Sequence, residues 1–258
     1  MFIKSLVVLA VVLIGTLVWH PPALQPLVGS IWLGTVSGAG NGIKQEAPTH
    51  ESSAPKIEGS LKDDIDSGYL ILVNKEHALD MEYKPDDLSS IKYYAEDRPS
   101  ESRYMRAAAA DAFHSLVEEA KRQGIELVMT TAYRSYEFQS SLYSNYVAEV
   151  GQAAADTFSA EPGKSEHQTG LAADVSSPSV NYQLTTKFAD TAEGKWLSEN
   201  AHLFGFVIRF PDGKEGITGY QYEPWHIRYV GLAAAEYMYN SGVTLEEYLQ
   251  LLDEGLEE

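Results

Sequence analysis

Ser165-Glu166-His167-Gln168-Thr169-Gly170-Leu171-Ala172-Ala173-Asp174-Val175 sets a histidine before a glycine and an aspartate after it. Gly170 permits a turn, and Leu171 to Val175 then reads as a short strand. Within that strand Asp174 shares parity with Ala172, so both face one side and the small residue leaves room around the carboxylate. A histidine before the turn and an aspartate after it can converge on one ion. The spacing alone means nothing in so acidic a chain; its surroundings give it weight.

Outward from this stretch, helical and extended patterns mix without the regularity of βαβ units. Arg103 to Gln123 carries apolar residues at Met105, Ala109, Ala112, Phe113, Leu116 and Ala120, a helical spacing that Gly124 is placed to end. Ile125 to Thr131 then reads as a strand. Ser135 caps a second helix bearing Phe138, Leu142, Tyr146 and Val150, closed by Gly151. A third helix covers Thr191 to Leu203 before Gly205. Strands follow at Phe206–Phe210 and His226–Val230, separated by the turn-like Pro211-Asp212-Gly213. The short apolar run Tyr69 to Asn74 reads as a further strand. Two helices finish the chain, the last opened by the capping box Thr244-Leu245-Glu246-Glu247. The mixture predicts an α+β fold rather than a parallel α/β sheet.

The chain has 258 residues, no cysteine, and 19 basic against 37 acidic side chains, a net charge of −18. Without cysteine there are no disulfides, thiol nucleophiles, iron–sulfur clusters or thiolate zinc sites. A transition metal must therefore be held by imidazole and carboxylate. The negative charge argues against nucleic acid, whose binding relies on neutralising phosphates with Lys and Arg.

Residues 1–20 are expected to be a signal peptide or membrane anchor. Lys4 supplies a positive flank, Ser5 to Trp19 is uncharged and rich in Leu, Val and Ile, and Pro21-Pro22 stops the helix. No clear Ala-x-Ala cleavage site follows, which favours an uncleaved anchor in the cytoplasmic membrane, with the remainder facing outward. Residues 21–60, rich in Gly, Pro and Ser, read as a flexible linker, and 61–258 as the folded domain.

Of seven histidines, two stand in unusual company: His167 in the opening stretch, and His226 in Tyr222-Glu223-Pro224-Trp225-His226-Ile227-Arg228-Tyr229-Val230. In a regular strand Glu223 and His226 would face opposite sides. Pro224 cannot donate to a ladder, so irregularity is expected there, letting Glu223 swing to the side of His226. An aromatic-rich edge strand with a surface glutamate is the plainer alternative. Together His167, Asp174 and His226 make two imidazoles and a carboxylate, and zinc enzymes commonly use three protein ligands with one position left open. Glu223 is then the candidate base.

Ser165-x-His167-x-x-Gly170-x-Ala172-x-Asp174 together with Glu223-Pro224-Trp225-His226 resembles the VanY-type D-alanyl-D-alanine carboxypeptidases, subfamily M15B of the zinc peptidases. Leu72 to His77, Ala132 to Glu137 and Gly219 to Tyr222 also look like family segments, so the resemblance spans about Tyr69 to Leu249. It implies a small antiparallel sheet with surrounding helices, the Hedgehog/DD-peptidase-like arrangement. It implies Zn2+ held by His167, Asp174 and His226, with Glu223 as base and Arg134 facing the substrate. Arg134 could clamp the terminal carboxylate of a peptide or polarise its scissile carbonyl. Gln139 and Ser165 look like further substrate contacts. The expected activity is removal of the C-terminal D-alanine from peptidoglycan stem peptides, by a protein expected to act as a monomer. The alternatives are an L,D-carboxypeptidase trimming tetrapeptide stems and, from another class, a non-catalytic zinc-containing cell-wall binding module.

Overall fold

Residues 61–96 and 98–256 are described by the computed structural model. In chain order they form α1 (Leu61–Asp66), β1 (Leu88–Ser90), β2 (Tyr104–Arg106), α2 (Ala107–Arg122), β3 (Val128–Thr131), α3 (Tyr136–Val150) and α4 (Gln152–Ala155). They continue with β4 (Ala172–Ser176), α5 (Ala192–Asn200), β5 (Phe206–Ile208), α6 (Glu215–Thr218), β6 (His226–Tyr229), α7 (Leu232–Ser241) and α8 (Leu245–Leu256). The expected leader at 1–20 and the expected linker at 21–60 lie outside the described residues. Among the described residues no helix is long and apolar enough to cross a membrane.

The fold is α+β. An antiparallel sheet in the order β3-β4-β6-β5 forms its centre, and β1 and β2 make a separate two-stranded pair. Every residue of β4 and β6 is buried, so both faces of these central strands are covered. Side chains alternate between the faces. Ala173, Val175 and Ile227 join Phe113 and Leu116 of α2 in the main core. Each such buried phenylalanine or leucine contributes roughly 1.5–3 kcal/mol by leaving water. The other face carries Asp174, His226 and Arg228, polar groups that burial allows only with partners.

Local chemistry explains most boundaries. The Ser135 hydroxyl accepts from the Phe138 amide at 3.2 Å and starts α3, and Gly151 at φ 84° ends it. The capping box forms as expected: the Thr244 amide donates to Glu247 at 2.7 Å and the Glu247 amide donates to Thr244 Oγ1 at 3.3 Å. Gly170 sits at φ 68°, and a Cβ there would lie 3.0 Å from the Leu88 side chain. Left-handed backbone and crowding both demand glycine at this turn into β4.

Two sequence expectations are corrected. The helix predicted from Arg103 begins at Ala107, because Tyr104–Arg106 pair with Leu88–Ser90. Nor is Tyr69 to Asn74 a strand. Instead of meeting a neighbouring strand, the Tyr69 and Ile71 carbonyls accept hydrogen bonds from one guanidinium nitrogen of Arg228, at 2.9 and 2.7 Å.

Candidate active site

Asp174 on β4 is the register partner of His226 on β6. His167 joins them from the 3-10 turn Glu166–Thr169, which leads through Gly170 into β4. His167 Nε2 lies 3.4 Å from Asp174 Oδ2, and His226 Nδ1 lies 3.1 Å from Asp174 Oδ1. The two imidazole rings stand edge to face with centroids 5.0 Å apart. All three residues are buried, and one donor atom from each falls within 4.8 Å of the others.

This donor set suits zinc: two imidazole nitrogens and one carboxylate oxygen. Burial, together with the charge of Arg134, holds His167 below the usual histidine range despite Asp174. Against burial, Asp174 and Glu166 push His226 up to about 9. A metal would need both rings neutral and would release a proton from His226 on binding. His167 Nδ1 lies 2.7 Å from the Ala132 carbonyl, which can only accept, so Nδ1 carries the proton and Nε2 the lone pair. Against the effect of burial, His167 and His226 keep the Asp174 carboxyl well below the ordinary aspartate range.

Glu223 lies just before β6. The His226 amide donates to the Glu223 carbonyl at 3.2 Å, closing a turn with Pro224 as its second residue. The irregularity expected at Pro224 is present, and it carries Glu223 to the His226 side, Oε2 to Nδ1 3.8 Å. Burial pushes the Glu223 carboxyl up to about 7; Asp174 and Glu166 add to the rise, and His226 and Arg134 oppose it. A carboxyl poised near neutrality can both take and return a proton.

Arg134 follows β3 and precedes the Ser135 cap. Its amide donates to the His167 carbonyl at 3.1 Å, tying it to the turn that carries His167. Arg134, Ser165, Glu223 and the three clustered residues line one cleft of about 350 Å³. Gln139 does not line it. Only 1% exposed, it accepts from Arg134 at 2.7 Å and donates to the Ala160 carbonyl at 2.6 Å and Ser159 Oγ at 3.4 Å. Its place is behind the guanidinium rather than against a substrate.

Several residues of the site escape the sequence reading. Tyr220 lines the cleft with its hydroxyl buried and without a hydrogen-bond partner among the described residues. Behind His226 lies Glu166, whose Oε1 accepts from Arg209 and Arg228, each at 2.7 Å. Arg209 also reaches Glu246 on α8 at 2.6 and 2.9 Å. The signal for Arg228 was present: it shares parity with His226 within one strand, so it had to face the same side.

The model of the VanY D-alanyl-D-alanine carboxypeptidase family matches residues 102–232, which contain all of these clustered side chains except Glu246. This chain belongs to the VanY family. The protein YodJ of Bacillus subtilis (strain 168), which bears the name of a carboxypeptidase, is 43% identical over 197 residues, covering 76% of this chain and 72% of YodJ. Among solved structures, the LD-carboxypeptidase LdcB shows 43% identity and a TM-score of 0.68, over 73% of this chain and 88% of LdcB. The D,D-pentapeptidase VanY of a VanB-type resistance cassette, solved with Zn(II), shows 33% identity and a TM-score of 0.60, over 70% of this chain and 98% of that one. A VanY-family fold here carries a buried His-Asp-His cluster, a carboxyl poised near neutrality and an arginine on one cleft wall.

Proposed function

We propose that this protein is a zinc-dependent carboxypeptidase that releases the C-terminal D-alanine from peptidoglycan stem peptides. The observation that carries the reading is the convergence of His167, Asp174, His226, Glu223 and Arg134 on one cleft. A peptide's terminal carboxylate is met by the Arg134 guanidinium, which Gln139 holds in place from behind. Zinc, held by His167, Asp174 and His226, supplies Lewis acidity that polarises a carbonyl and acidifies water. Glu223 takes the proton from the attacking water on its carboxylate and returns it to the amine of the departing D-alanine. Ser165, buried in the cleft wall, is a further contact for the peptide.

Two stem peptides end in D-alanine. Names among the relatives support the D-Ala-D-Ala bond of a pentapeptide: a D-alanyl-D-alanine carboxypeptidase of Enterococcus faecium is 34% identical over 199 residues, 75% of this chain and 61% of the relative. The second reading, L,D-cleavage of a tetrapeptide, is favoured by the higher identity and TM-score with LdcB than with VanY. Incubation with defined tetra- and pentapeptides, followed by mass spectrometry, separates the two. Loss of one alanine from the pentapeptide alone supports D,D-specificity; loss from the tetrapeptide alone supports L,D-specificity. Loss from neither would leave the binding-module reading.

We place the domain outside the cytoplasmic membrane, held by residues 1–20, on the strength of their uncharged apolar run. Recovery of the full-length chain in the membrane fraction, open to protease added outside the cell, is the expected result. A chain found only in the cytosol would contradict it.

A further inference from the structure

Glu166 sits beside a ligand histidine in sequence but is not itself one of the clustered ligands. It is 4% exposed, and its two oxygens have different partners. Oε1 accepts from Arg209 Nε and from an Arg228 terminal nitrogen, each at 2.7 Å. Oε2 faces His226 Nε2 at 3.4 Å. Guanidinium groups only donate, so Oε1 is committed to them; turning the carboxylate away would leave two buried cations short of an acceptor. An ionised carboxylate only accepts, so Oε2 calls for a proton on Nε2 of His226, and Asp174 Oδ1, 3.1 Å from Nδ1, calls for one there as well. A metal bound between His167, Asp174 and His226 would displace the Nδ1 proton, on the side that also faces Glu223 at 3.8 Å, while Glu166 keeps the proton on Nε2.

The arrangement continues to the end of the chain. Glu246, in the first turn of α8, receives both terminal nitrogens of Arg209 at 2.6 and 2.9 Å and the Asn74 amide at 3.2 Å. Two arginines and two glutamates thus balance in charge beneath the site. Arg228 is further occupied by the Tyr69 and Ile71 carbonyls, so it cannot move to compensate for a lost partner.

We infer that Glu166 is the positioning residue of the metal site: it sets the tautomer and orientation of His226, and α8 holds it in place through Glu246 and Arg209. This rests on the zinc reading above. The C-terminal helix, far from the cleft in sequence, thereby becomes part of what makes the ligand set competent.

Glu166→Gln probes this by chemistry rather than by shape. The two arginines keep the amide oxygen, which turns the amide NH2 group toward His226 Nε2. A donor there favours the proton on Nδ1 and removes the lone pair offered to the metal. Zinc affinity, measured by competition with a chromophoric chelator, is expected to fall about 10- to 100-fold, the size seen when such outer partners are lost. Circular dichroism should show the fold retained. Glu246→Gln, which keeps hydrogen-bond acceptors for Arg209, should weaken zinc binding by less. In the zinc-loaded wild-type protein, long-range proton–nitrogen correlation of the imidazoles should find the His226 proton on Nε2 and the His167 proton on Nδ1. This spectrum decides the matter even where Glu166→Gln does not fold. Wild-type affinity in a folded Glu166→Gln protein, or a zinc-loaded His226 protonated on Nδ1, would overturn the inference alone. A wild-type protein that binds no zinc would overturn the zinc reading and this inference together.

Discussion

Asp174 and His226 face each other across the antiparallel pairing of β4 and β6, with Oδ1 3.1 Å from Nδ1. Their separation is therefore set by the sheet spacing and not by a loop. Directly opposed residues in such a pair hold their Cβ atoms about 4.5–5.5 Å apart, a distance that a short carboxylate and an imidazole can close. His167 is the member of the cluster that depends on a turn, and its proton on Nδ1 is fixed by the Ala132 carbonyl.

Metal retention should follow from this division. His167→Ala removes one of three donors and leaves the sheet intact, so purified protein should carry substoichiometric zinc while its circular dichroism stays unchanged. Elemental analysis after dialysis checks it; a full equivalent of zinc would remove His167 from the ligand set.

Arg134 has two candidate roles that one comparison separates. If it clamps the terminal carboxylate, Arg134→Met should lower kcat/KM for a free-acid peptide by at least about 30-fold, the lower end of the ~2–5 kcal/mol lost when one partner of a buried charge pair is truncated. The discrimination between free-acid and amidated peptides should then collapse toward one. An equal loss on both peptides would instead assign Arg134 to the scissile carbonyl.

Gln139 should affect the same step indirectly. Gln139→Leu leaves the Ala160 carbonyl and one Arg134 nitrogen without their partners, at a cost of roughly 1–3 kcal/mol to stability. Steady-state kinetics should show a raised KM for free-acid peptides with a smaller change in kcat. A variant with wild-type KM would mean that Arg134 needs no support from behind.

Acid sensitivity should carry the mark of the buried network. Although burial opposes it, Arg209 holds Glu246 below the usual glutamate range. A carboxyl whose folded pKa is depressed stabilises the protein above its unfolded pKa, about 4.3, and loses that contribution as pH falls through the folded value. Wild-type protein should therefore be more stable than Glu246→Gln at neutral pH, by about 1–3 kcal/mol. The gap should close as pH drops below about 4. Denaturant titrations at several pH values check it; a gap that stays constant into acid would show that charge has no part in the Arg209–Glu246 pairing.

Much of the site could be read from the chain because its residues obey local rules. Gly170 marks the turn that separates His167 from Asp174, and Pro224 marks the break that lets Glu223 reach the side of His226. Parity along β4 and β6 did the remainder. The network beneath was not legible in the same way. Arg228 shares a face with His226, but Arg209 stands just past β5, where a charged side chain is ordinarily read as facing water, and their common partner Glu166 lies 43 residues from Arg209 and 62 from Arg228. No short window of sequence contains such a pairing. The predicted strand at Tyr69 to Asn74 failed for the same cause, since a distant arginine took the carbonyls that a neighbouring strand would have used. Gln139 was placed at the substrate by resemblance; its burial behind Arg134 depends on the Ser159–Ala160 segment, again remote in sequence.

The most direct test is release of D-alanine from a defined stem peptide, followed by mass spectrometry, with wild-type protein and Glu223→Gln, before and after chelation and zinc readdition. The expected result is one alanine lost with the wild-type protein, abolished by chelator and restored by zinc. Glu223→Gln should keep its zinc yet turn over about 10²- to 10⁴-fold more slowly, the usual contribution of a positioned acid–base group. Undiminished release in the presence of chelator, or in Glu223→Gln, would contradict the account.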